Sequence, residues 1–386
     1  MTPAARYAAA AEIVDAIVAG ERLEPAIRAW GRAHRFAGSK DRRAIADICY
    51  DIARRWWSTA ALGSAETGRG RVLGLLRARG VAAETVFTGQ GHALAPLSAQ
   101  EILMPSDPVP YDFPPFLIRE LEEVFGSRLP EVNAMVQERA PVDLRVNTAK
   151  TSRESLARLL AEAGFDAVPL DDVPTALRLS GSGRGLTETD LFAEGLFELQ
   201  DAGSQQIVAF AKPETATTIL DYCAGGGGKT LALAAASGRR VVAHDIAPRR
   251  MKDIPNRARR AGASVDIIDT ADLPERCFDL VYVDAPCTGS GSWRRDPYGK
   301  ISLTEQRFDD IRHAQVAALR SASRHVAPQG RIAYATCSVL KSENNLQINS
   351  FFNEFDFMIS ERNLSIDFLS DRDGFYANII TNISNL

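Results

Sequence analysis

Hydrophobic residues recur every three or four positions over the first 130 residues, and runs of β-branched side chains are few. This periodicity predicts amphipathic helices. The most regular segment spans residues 38–57, where Ser39 is a candidate N-cap. Four apolar side chains of this segment are expected on one helical face: Ile45, Ile48, Ile52 and Trp56. The first region is therefore predicted to be an all-helical domain.

From about residue 201 the pattern changes, because short β-rich apolar runs alternate with helical stretches. The runs are TTILDY, RVVAHDI, VDIID, FDLVYVDAP and GRIAYATCS. This alternation predicts an α/β fold with a doubly wound, mainly parallel sheet. Between the two regions, a proline-rich linker at 104–116 precedes a strand at 142–148 and a helix at 152–164. We therefore predict three domains: a helical one at 1–130, a small α+β one at 131–200 and the sheet domain at 201–386.

The composition is typical of a globular protein and argues against a membrane-spanning or secreted one. Hydrophobic residues make up 45% and charged residues 24%, as in globular proteins. No apolar run approaches the ~20 residues of a membrane span. Glu12 and Asp15 interrupt the apolar N-terminal stretch, which argues against a signal peptide. The five cysteines form no CxxC pair, so we expect no metal site, no disulfide framework and a cytoplasmic location. Nothing in the sequence requires more than a monomer.

The net charge of −4 is unevenly distributed along the chain. The first 100 residues carry 14 Lys and Arg against 9 Asp and Glu, so the remainder is acidic. A basic helical region is compatible with nucleic-acid contact. A solvated helical face explains the same pattern, and charge alone does not separate the two interpretations.

Four consecutive glycines at 225–228 follow the first strand-like run and precede Lys229. Glycine inside a regular element costs roughly 0.5–1 kcal/mol relative to alanine, so the run indicates a backbone that a ligand approaches. A Walker A loop requires glycine where this chain has Cys223, which excludes the ATPase interpretation. A strand–turn–helix unit that binds an adenosyl ligand fits instead, with Asp245 after the next strand as ribose ligand. NAD and S-adenosylmethionine satisfy this pattern equally well.

Two cysteines directly follow strand-like runs. Cys287 lies in VDAPCTGSGSWRRDP, three residues after Asp284, and Cys337 lies in YATCSV. The carboxyl ends of parallel strands line the ligand crevice of such sheets, so both thiols are predicted to meet beside Asp284. For Cys49 and Cys223 we favour the alternative of a buried structural cysteine.

Two thiols, an aspartate and a methyl donor suit methylation of cytosine at C5. A thiolate adds to C6, the activated C5 takes the methyl group, and a base removes the C5 proton so that the thiol leaves. An aspartate hydrogen-bonded to the base edge stabilises the adduct. The target base must be extruded or single-stranded, because its ring is otherwise inaccessible.

At these residues the chain resembles the RsmB/NOP2/Sun (NSUN) family of RNA cytosine-C5 methyltransferases, most closely its bacterial ribosomal-RNA members. The resemblance is carried by DYCAGGGGKT, DAPCTGSGSWRRDP, ATCSV, LQDAGSQ, DLRVNT and DRDGFYANI, and KDRRAIADICYDIARRWW is similar to the NusB-like domain of bacterial members. Gly225 and Gly226 replace the usual Ala-Pro of the family, which predicts a more flexible loop.

The resemblance implies a Rossmann-like class I methyltransferase domain that uses S-adenosylmethionine and acts on RNA, preceded by a NusB-like domain and a small RNA-contacting subdomain. It implies that Cys337 is the nucleophile, that Cys287 assists product release, that Asp284 contacts the base and that Lys229 lies near donor and target. The implied cofactor residues are Cys223, Ala224, Gly225, Gly226, Gly227, Gly228, Lys229, Asp245, Asp269 (preferred to Asp272 for adenine) and Asp284. The candidate RNA contacts are Arg145, Asn147, Arg294 and Arg295, with Trp293 as a stacking surface.

The sequence is compatible with more than one substrate and function. Ribosomal RNA, most simply 16S RNA, is the favoured substrate, and C5 methylation of tRNA is the alternative. A DNA cytosine methyltransferase would carry an E-N-V motif, and an amino-methyltransferase would carry D/N-P-P-Y; the chain has neither. A non-catalytic RNA-binding or ribosome-assembly factor is the alternative of a different class. The altered glycine run and the acidic, Asn-rich C-terminal region support it.

Overall fold

The computed structural model describes residues 1–103, 105, 108–356 and 358–383. The predicted linker at 104–116 lies partly outside these residues, at Met104, Ser106 and Asp107. The helices are α1 (Pro3–Val18), α2 (Leu23–Ala33), α3 (Ser39–Arg54), α4 (Trp56–Leu62), α5 (Gly68–Ala78), α6 (Ala99–Ile102), α7 (Ile118–Phe125), α8 (Leu129–Gln137), α9 (Arg153–Glu162), α10 (Asp190–Ala193), α11 (Ala202–Phe210), α12 (Gly228–Ser237), α13 (Ile254–Ala261), α14 (Pro297–Ile301), α15 (Glu305–Ser323) and α16 (Asn345–Phe352).

The strands form two sheets. They are β1 (Asp143–Val146), β2 (Ala167–Pro169), β3 (Ala176–Leu179), β4 (Phe197–Leu199), β5 (Ile219–Asp221), β6 (Val241–Ala243), β7 (Val265–Ile267), β8 (Phe278–Asp284), β9 (Val326–Thr336), β10 (Met358–Ile366) and β11 (Phe375–Asn382). By packing, the chain divides into a helical unit (Met1–Arg139 with Trp293–Leu303) and a sheet unit (Ala140–Ser292 with Thr304–Leu386).

The helical unit is built around α1, α3 and α5, whose apolar faces share one core. The four residues predicted on one face of residues 38–57 are all buried, which confirms the periodicity. The segment is nevertheless two helices, because α3 ends at Arg54 and α4 begins at Trp56. The predicted cap is wrong: Gly38 is the N-cap and Ser39 is the first helical residue.

Helices α4 and α5 pack so closely that position 74 requires glycine. A Cβ atom at Gly74 would lie 1.9 Å from the carbonyl oxygen of Thr59. We expect Gly74→Ala to lower the free energy of unfolding of the helical unit by about 1–3 kcal/mol, because the helices must separate. Chemical denaturation followed by circular dichroism measures this change.

Gly31→Ala is the matched control for this substitution. Gly31 also lies within a helix, α2, but a Cβ atom there meets only the side chain of Arg42 at 3.7 Å. We expect this variant to be unchanged or more stable by up to about 1 kcal/mol, the helix-propensity gain. Equal stability of the two variants would show that the close approach of α4 and α5 has no energetic consequence.

The sheet unit contains a seven-stranded sheet in the order β10-β11-β9-β8-β5-β6-β7. Strands β5 to β9 are parallel, and β11 is antiparallel to β9 and β10. Each of the five predicted runs contains one of these parallel strands, so the predicted mainly parallel α/β sheet is confirmed. The smaller sheet is antiparallel throughout, in the order β2-β3-β1-β4.

The topology places three sequence motifs at one edge of the large sheet. Strands β9, β8 and β5 are neighbours, and their register pairs Asp221 with Tyr282 and Asp284 with Ala335. The glycine run follows β5, Cys287 follows β8 and Cys337 follows β9. Because the strands are parallel, the three following loops leave the sheet at the same edge. Among the described residues, no helix has both the length and the hydropathy of a membrane span.

Candidate active site

The glycine loop (residues 223–228) connects β5 to α12 and is fixed by polar contacts. Gly225 and Gly227 have φ values of +52° and +81°, a region that favours glycine. The Gly225 amide donates to Oδ2 of Asp245 at 2.9 Å. The carbonyl of Gly226 accepts a hydrogen bond from Arg257, which also pairs with Glu198 at 2.9 Å. The consecutive glycines are therefore restrained by side chains from β4, α13 and the loop after β6.

Asp245 follows β6 and faces the glycine loop. Besides Gly225, its carboxylate accepts from the Ala247 amide at 2.9 Å and pairs with Arg250 at 3.0 Å. The Asp245 side chain is 1% exposed, whereas that of Arg250 is 62% exposed. A diol bound at Asp245 would therefore replace the Arg250 contact. Asp269 is exposed just after β7, the next strand of the sheet.

Asp221, the last residue of β5, carries a fully buried carboxyl group. One oxygen accepts a hydrogen bond from Thr230 at 2.6 Å. Among the described residues, the other oxygen has no hydrogen-bond partner. Burial raises the pKa of Asp221 to about 7, against the lowering effect of the Thr230 hydrogen bond. Below about pH 7 the Asp221 carboxyl group is therefore mainly protonated in the folded protein.

The buried carboxyl of Asp221 predicts a loss of stability with rising pH. Between about pH 4 and pH 7 the folded state keeps the proton and the unfolded state releases it, so the free energy of unfolding falls as the pH rises. Asn is neutral in both states and keeps an acceptor for Thr230. We therefore expect the stability of Asp221→Asn relative to wild type to increase by about 3 kcal/mol when the pH is raised from 5 to 8. Urea unfolding of both proteins at pH 5 and pH 8 measures this change. A difference in the free energy of unfolding that is the same at both pH values would contradict the prediction.

The two motif cysteines lie side by side. The Sγ atoms of Cys287 and Cys337 are 3.3 Å apart, and both side chains are half-buried. The hydrogen bond from Cys287 lowers the pKa of Cys337, with a further contribution from Lys229, against burial and nearby carboxylates. The same hydrogen bond, together with burial, raises the pKa of Cys287. Cys287 therefore retains its proton, and Cys337 is the better thiolate.

Lys229 and Asp284 form an ion pair beside the thiols, with Nζ 2.8 Å from Oδ2. Burial lowers the pKa of Lys229, but the Asp284 carboxylate and the two thiols outweigh it and the net shift is upward. The ammonium group also lies 5.7 Å from the ring centroid of Phe375. The Lys229 ammonium lowers the pKa of Cys337, which favours its thiolate, whereas the paired Asp284 carboxylate raises that pKa and has the larger effect.

The other cysteines lack this environment. Cys49 is buried in the helical unit, as predicted. Cys223 is half-buried, and burial together with three nearby carboxylates raises the pKa of its thiol. Cys277 is exposed. Among the described residues, no group of three or more His, Cys, Asp or Glu could hold a metal ion.

The residues predicted to contact RNA differ in burial and in their hydrogen-bond partners. Arg145 is buried and donates to Gln200 and to the Gly228 carbonyl, at 2.9 and 3.2 Å. Asn147 donates to the carbonyls of Gly195 and Ala261. Trp293 and Arg294 are buried, whereas Arg295 is exposed. Contact with RNA stays a prediction for all of them. In this conformation Arg145, Trp293 and Arg294 are internal groups, and Arg145 joins β1 to the start of α12.

Glu343 was missed by the sequence reasoning. It lies six residues after Cys337, is fully buried and accepts hydrogen bonds from residues that follow both cysteines. An acidic residue just beyond ATCSV was the only signal in the sequence, and on its own it does not distinguish a buried carboxylate from a surface one. Two of its partners, Thr288 in the loop after β8 and Gln315 on α15, are distant along the chain, which no local pattern reveals.

Family models match two parts of the chain. A model described as 16S rRNA methyltransferase RsmB/F matches residues 208–368, and one for the ferredoxin-like domain of RsmF/B-like methyltransferases matches residues 113–184. Ribosomal RNA small subunit methyltransferase B of Klebsiella pneumoniae (strain 342) is 33% identical over 248 residues, which is 62% of this chain. That of Salmonella arizonae is 33% identical over 245 residues. The chain thus spans 57% of the length of each of these relatives.

Solved structures share the fold. The crystal structure of PH0851 superposes with a TM-score of 0.76 at 23% identity, over 98% of this chain and 99% of that one. The structure of NSun6 from Pyrococcus horikoshii with SFG gives a TM-score of 0.64 at 17% identity, over 71% and 100%. At these identities the likeness concerns the fold alone.

Proposed function

We propose that this chain, which matches the RsmB/F methyltransferase model over residues 208–368, methylates C5 of a cytosine in RNA, with small-subunit ribosomal RNA as the favoured substrate. The observation that carries the proposal is the 3.3 Å approach of Cys287 and Cys337 next to the Lys229–Asp284 ion pair. A single reactive thiol serves many chemistries. Two thiols in contact with opposite pKa shifts suit addition to a base followed by its release.

The glycine loop and its neighbours suit S-adenosylmethionine, which supplies an electrophilic methyl group when bound. The left-handed backbone at Gly225 and Gly227 lets a ligand approach closely, and α12 begins directly after the loop. Asp245 would hold the ribose hydroxyls once Arg250 turns away, and Asp269 after the next strand would face the adenine side. Ala224, Gly226 and Gly228 would contribute backbone contacts around the donor.

In the proposed reaction Cys337 adds to C6 of the cytosine through its thiolate. Lys229 stabilises that thiolate, and Asp284 binds the N3 and amino edge of the base, where it stabilises the adduct. After C5 has taken the methyl group, water acts as the base that takes the C5 proton. The electrons of the C5–H bond restore the C5–C6 double bond, and the bond between C6 and the Cys337 sulfur breaks with its electron pair returning to the sulfur as thiolate. Cys287 assists this last step, because its sulfur lies against that of Cys337. Asn147 and Arg295 are proposed to contact the RNA backbone.

The test is transfer of a labelled methyl group from S-adenosylmethionine to unmodified ribosomal RNA, with tRNA and DNA in parallel. Digestion of the product to nucleosides should yield labelled 5-methylcytidine from small-subunit RNA. Label on tRNA would keep the chemistry and change the substrate. Label on DNA, or on a nitrogen of the base, would overturn the proposal. Retention of RNA without any transfer would identify a binding factor on a methyltransferase scaffold.

A further inference from the structure

Glu343 is a buried carboxylate that receives hydrogen bonds from the loops of both cysteines. One oxygen accepts from the Thr288 amide at 2.8 Å and from the Gln315 side chain at 3.0 Å. The other accepts from the hydroxyl groups of Thr288, at 2.6 Å, and Ser338. Thr288 directly follows Cys287, and Ser338 directly follows Cys337. A single side chain therefore bonds to the residue next to each thiol.

The two cysteine loops (residues 285–292 and 337–344) are joined by weaker contacts as well. The Gly291 amide donates to the Cys337 carbonyl at 3.0 Å, and the hydroxyls of Ser290 and Ser338 are 2.8 Å apart. These bonds join neutral groups. The Glu343 bonds are charge-assisted when the carboxylate is ionised, and such bonds are roughly twice as strong as neutral ones.

The charge of Glu343 does not help to form the thiolate. The pKa of Cys337 is lowered mainly by the Cys287 hydrogen bond, and the Glu343 carboxylate acts against this lowering. A buried carboxylate also has a large desolvation cost unless several donors satisfy it. Burial raises the pKa of Glu343 in spite of its four donors, two of which belong to Thr288, so these bonds offset the cost only in part. The benefit that offsets this cost must therefore be geometric.

We propose that Glu343 is a positioning residue that sets the spacing of Cys287 and Cys337. The proposal rests on the proposed function for its biological meaning, but the spacing itself is a property of the folded chain. Without Glu343, Thr288 and Ser338 lose their common partner, and the two loops are left joined by the neutral bonds of Ser290 and Gly291. Misplacement of reacting groups by about 1 Å can cost a hundredfold in rate.

Disulfide formation between the two thiols measures their spacing without requiring methyl transfer. The full-length protein is treated with diamide, which is reduced to a hydrazine as the two thiols are oxidised. Remaining thiols are then blocked, and the Cys287–Cys337 disulfide is quantified by mass spectrometry. We expect Glu343→Ala to slow this cross-link about tenfold or more. Glu343→Gln should stay within about threefold of wild type, because the hydroxyls of Thr288 and Ser338 can rotate to accept from its amide group.

Asp279→Ala is the matched control, because Asp279 lies at the opposite end of β8 and accepts from the amides of Thr217 and Thr218. It should leave the cross-linking rate unchanged. If Glu343→Ala does not melt cooperatively, Thr288→Val replaces it, since valine keeps the amide and removes the hydroxyl; an intermediate rate is expected. A wild-type rate in the folded Glu343 or Thr288 variant, or equal slowing in Asp279→Ala, overturns the proposal.

A kinetic readout separates positioning from substrate binding. For Glu343→Ala, kcat is expected to fall at least about tenfold while KM for S-adenosylmethionine stays within about twofold, because the glycine loop is untouched. Restoration of kcat by Glu343→Gln supports the spacing role. A raised KM with normal kcat overturns it. If the wild-type protein transfers no methyl group, the cross-linking result alone still decides the spacing role.

Discussion

Methyl transfer to RNA is expected to fall at least about a thousandfold when Cys337 is replaced with alanine. Alanine removes the sulfur that is proposed to add to C6, and without that addition C5 of the cytosine stays a poor nucleophile. Loss of the Cys337 hydrogen bond removes the largest cause that raises the pKa of Cys287, but burial still raises it. We therefore expect Cys287 not to replace Cys337 as nucleophile. Initial rates of label transfer from S-adenosylmethionine to small-subunit ribosomal RNA measure the loss.

Binding of the donor gives the first control for this result. Among the described residues, Cys337 is hydrogen-bonded to the Cys287 sulfur and the Gly291 amide and not to the glycine loop or Asp245. The Kd for S-adenosylmethionine should therefore stay within about twofold of wild type. Cys277→Ala is the second control, since Cys277 is an exposed cysteine of the same sheet unit, and it should retain full activity. Normal transfer by Cys337→Ala, or a covalent RNA complex formed through Cys287, would reverse the assignment of the two thiols.

The position of the candidate site could be predicted from the sequence because its residues follow strands. The glycine loop, Asp284 and Cys337 lie at the ends of β5, β8 and β9 or just beyond them, and hydrophobic runs mark those strands clearly. Parallel strands place their following loops at one edge. Two motifs separated by about fifty residues were therefore expected to meet, and their sulfurs lie 3.3 Å apart.

Long-range polar contacts could not be predicted in this way. The glycine loop suggested flexibility, yet Arg257 joins it to Glu198, and both partners lie far from it along the chain. Arg145 has the polarity of a surface residue but is buried, and its guanidinium donates to Gln200 and to the Gly228 carbonyl. Side-chain polarity indicates exposure only when no buried partner is available, and such partners come from the tertiary structure.

The same limit applies to helix boundaries and packing. The pattern of residues 38–57 fits one continuous helix, but α3 ends at Arg54 and the chain restarts at Trp56 in α4. The requirement for glycine at position 74 depends on the carbonyl of Thr59 in that second helix. Periodicity therefore identified the buried face correctly, and tertiary packing determined where the helix breaks.

Cys287→Ala is expected to produce a different failure from Cys337→Ala. The nucleophile remains, so addition to C6 and methyl transfer proceed, but release is impaired because the neighbouring sulfur is missing. We expect a covalent protein–RNA complex to accumulate to roughly one equivalent per protein, while multiple-turnover rates fall about a hundredfold or more. Denaturing gel electrophoresis with labelled RNA detects the complex, which should disappear after nuclease digestion.

The double variant Cys287→Ala/Cys337→Ala shows which sulfur forms the covalent bond to RNA in the trapped complex. It should form no complex, because the trapped species depends on the Cys337 sulfur. The pKa shifts support this order of events: the Cys287 hydrogen bond favours the Cys337 thiolate before addition, so its loss should also slow complex formation modestly. If Cys287→Ala instead turns over normally and traps nothing, release does not need the second thiol. The 3.3 Å approach would then serve only to activate Cys337.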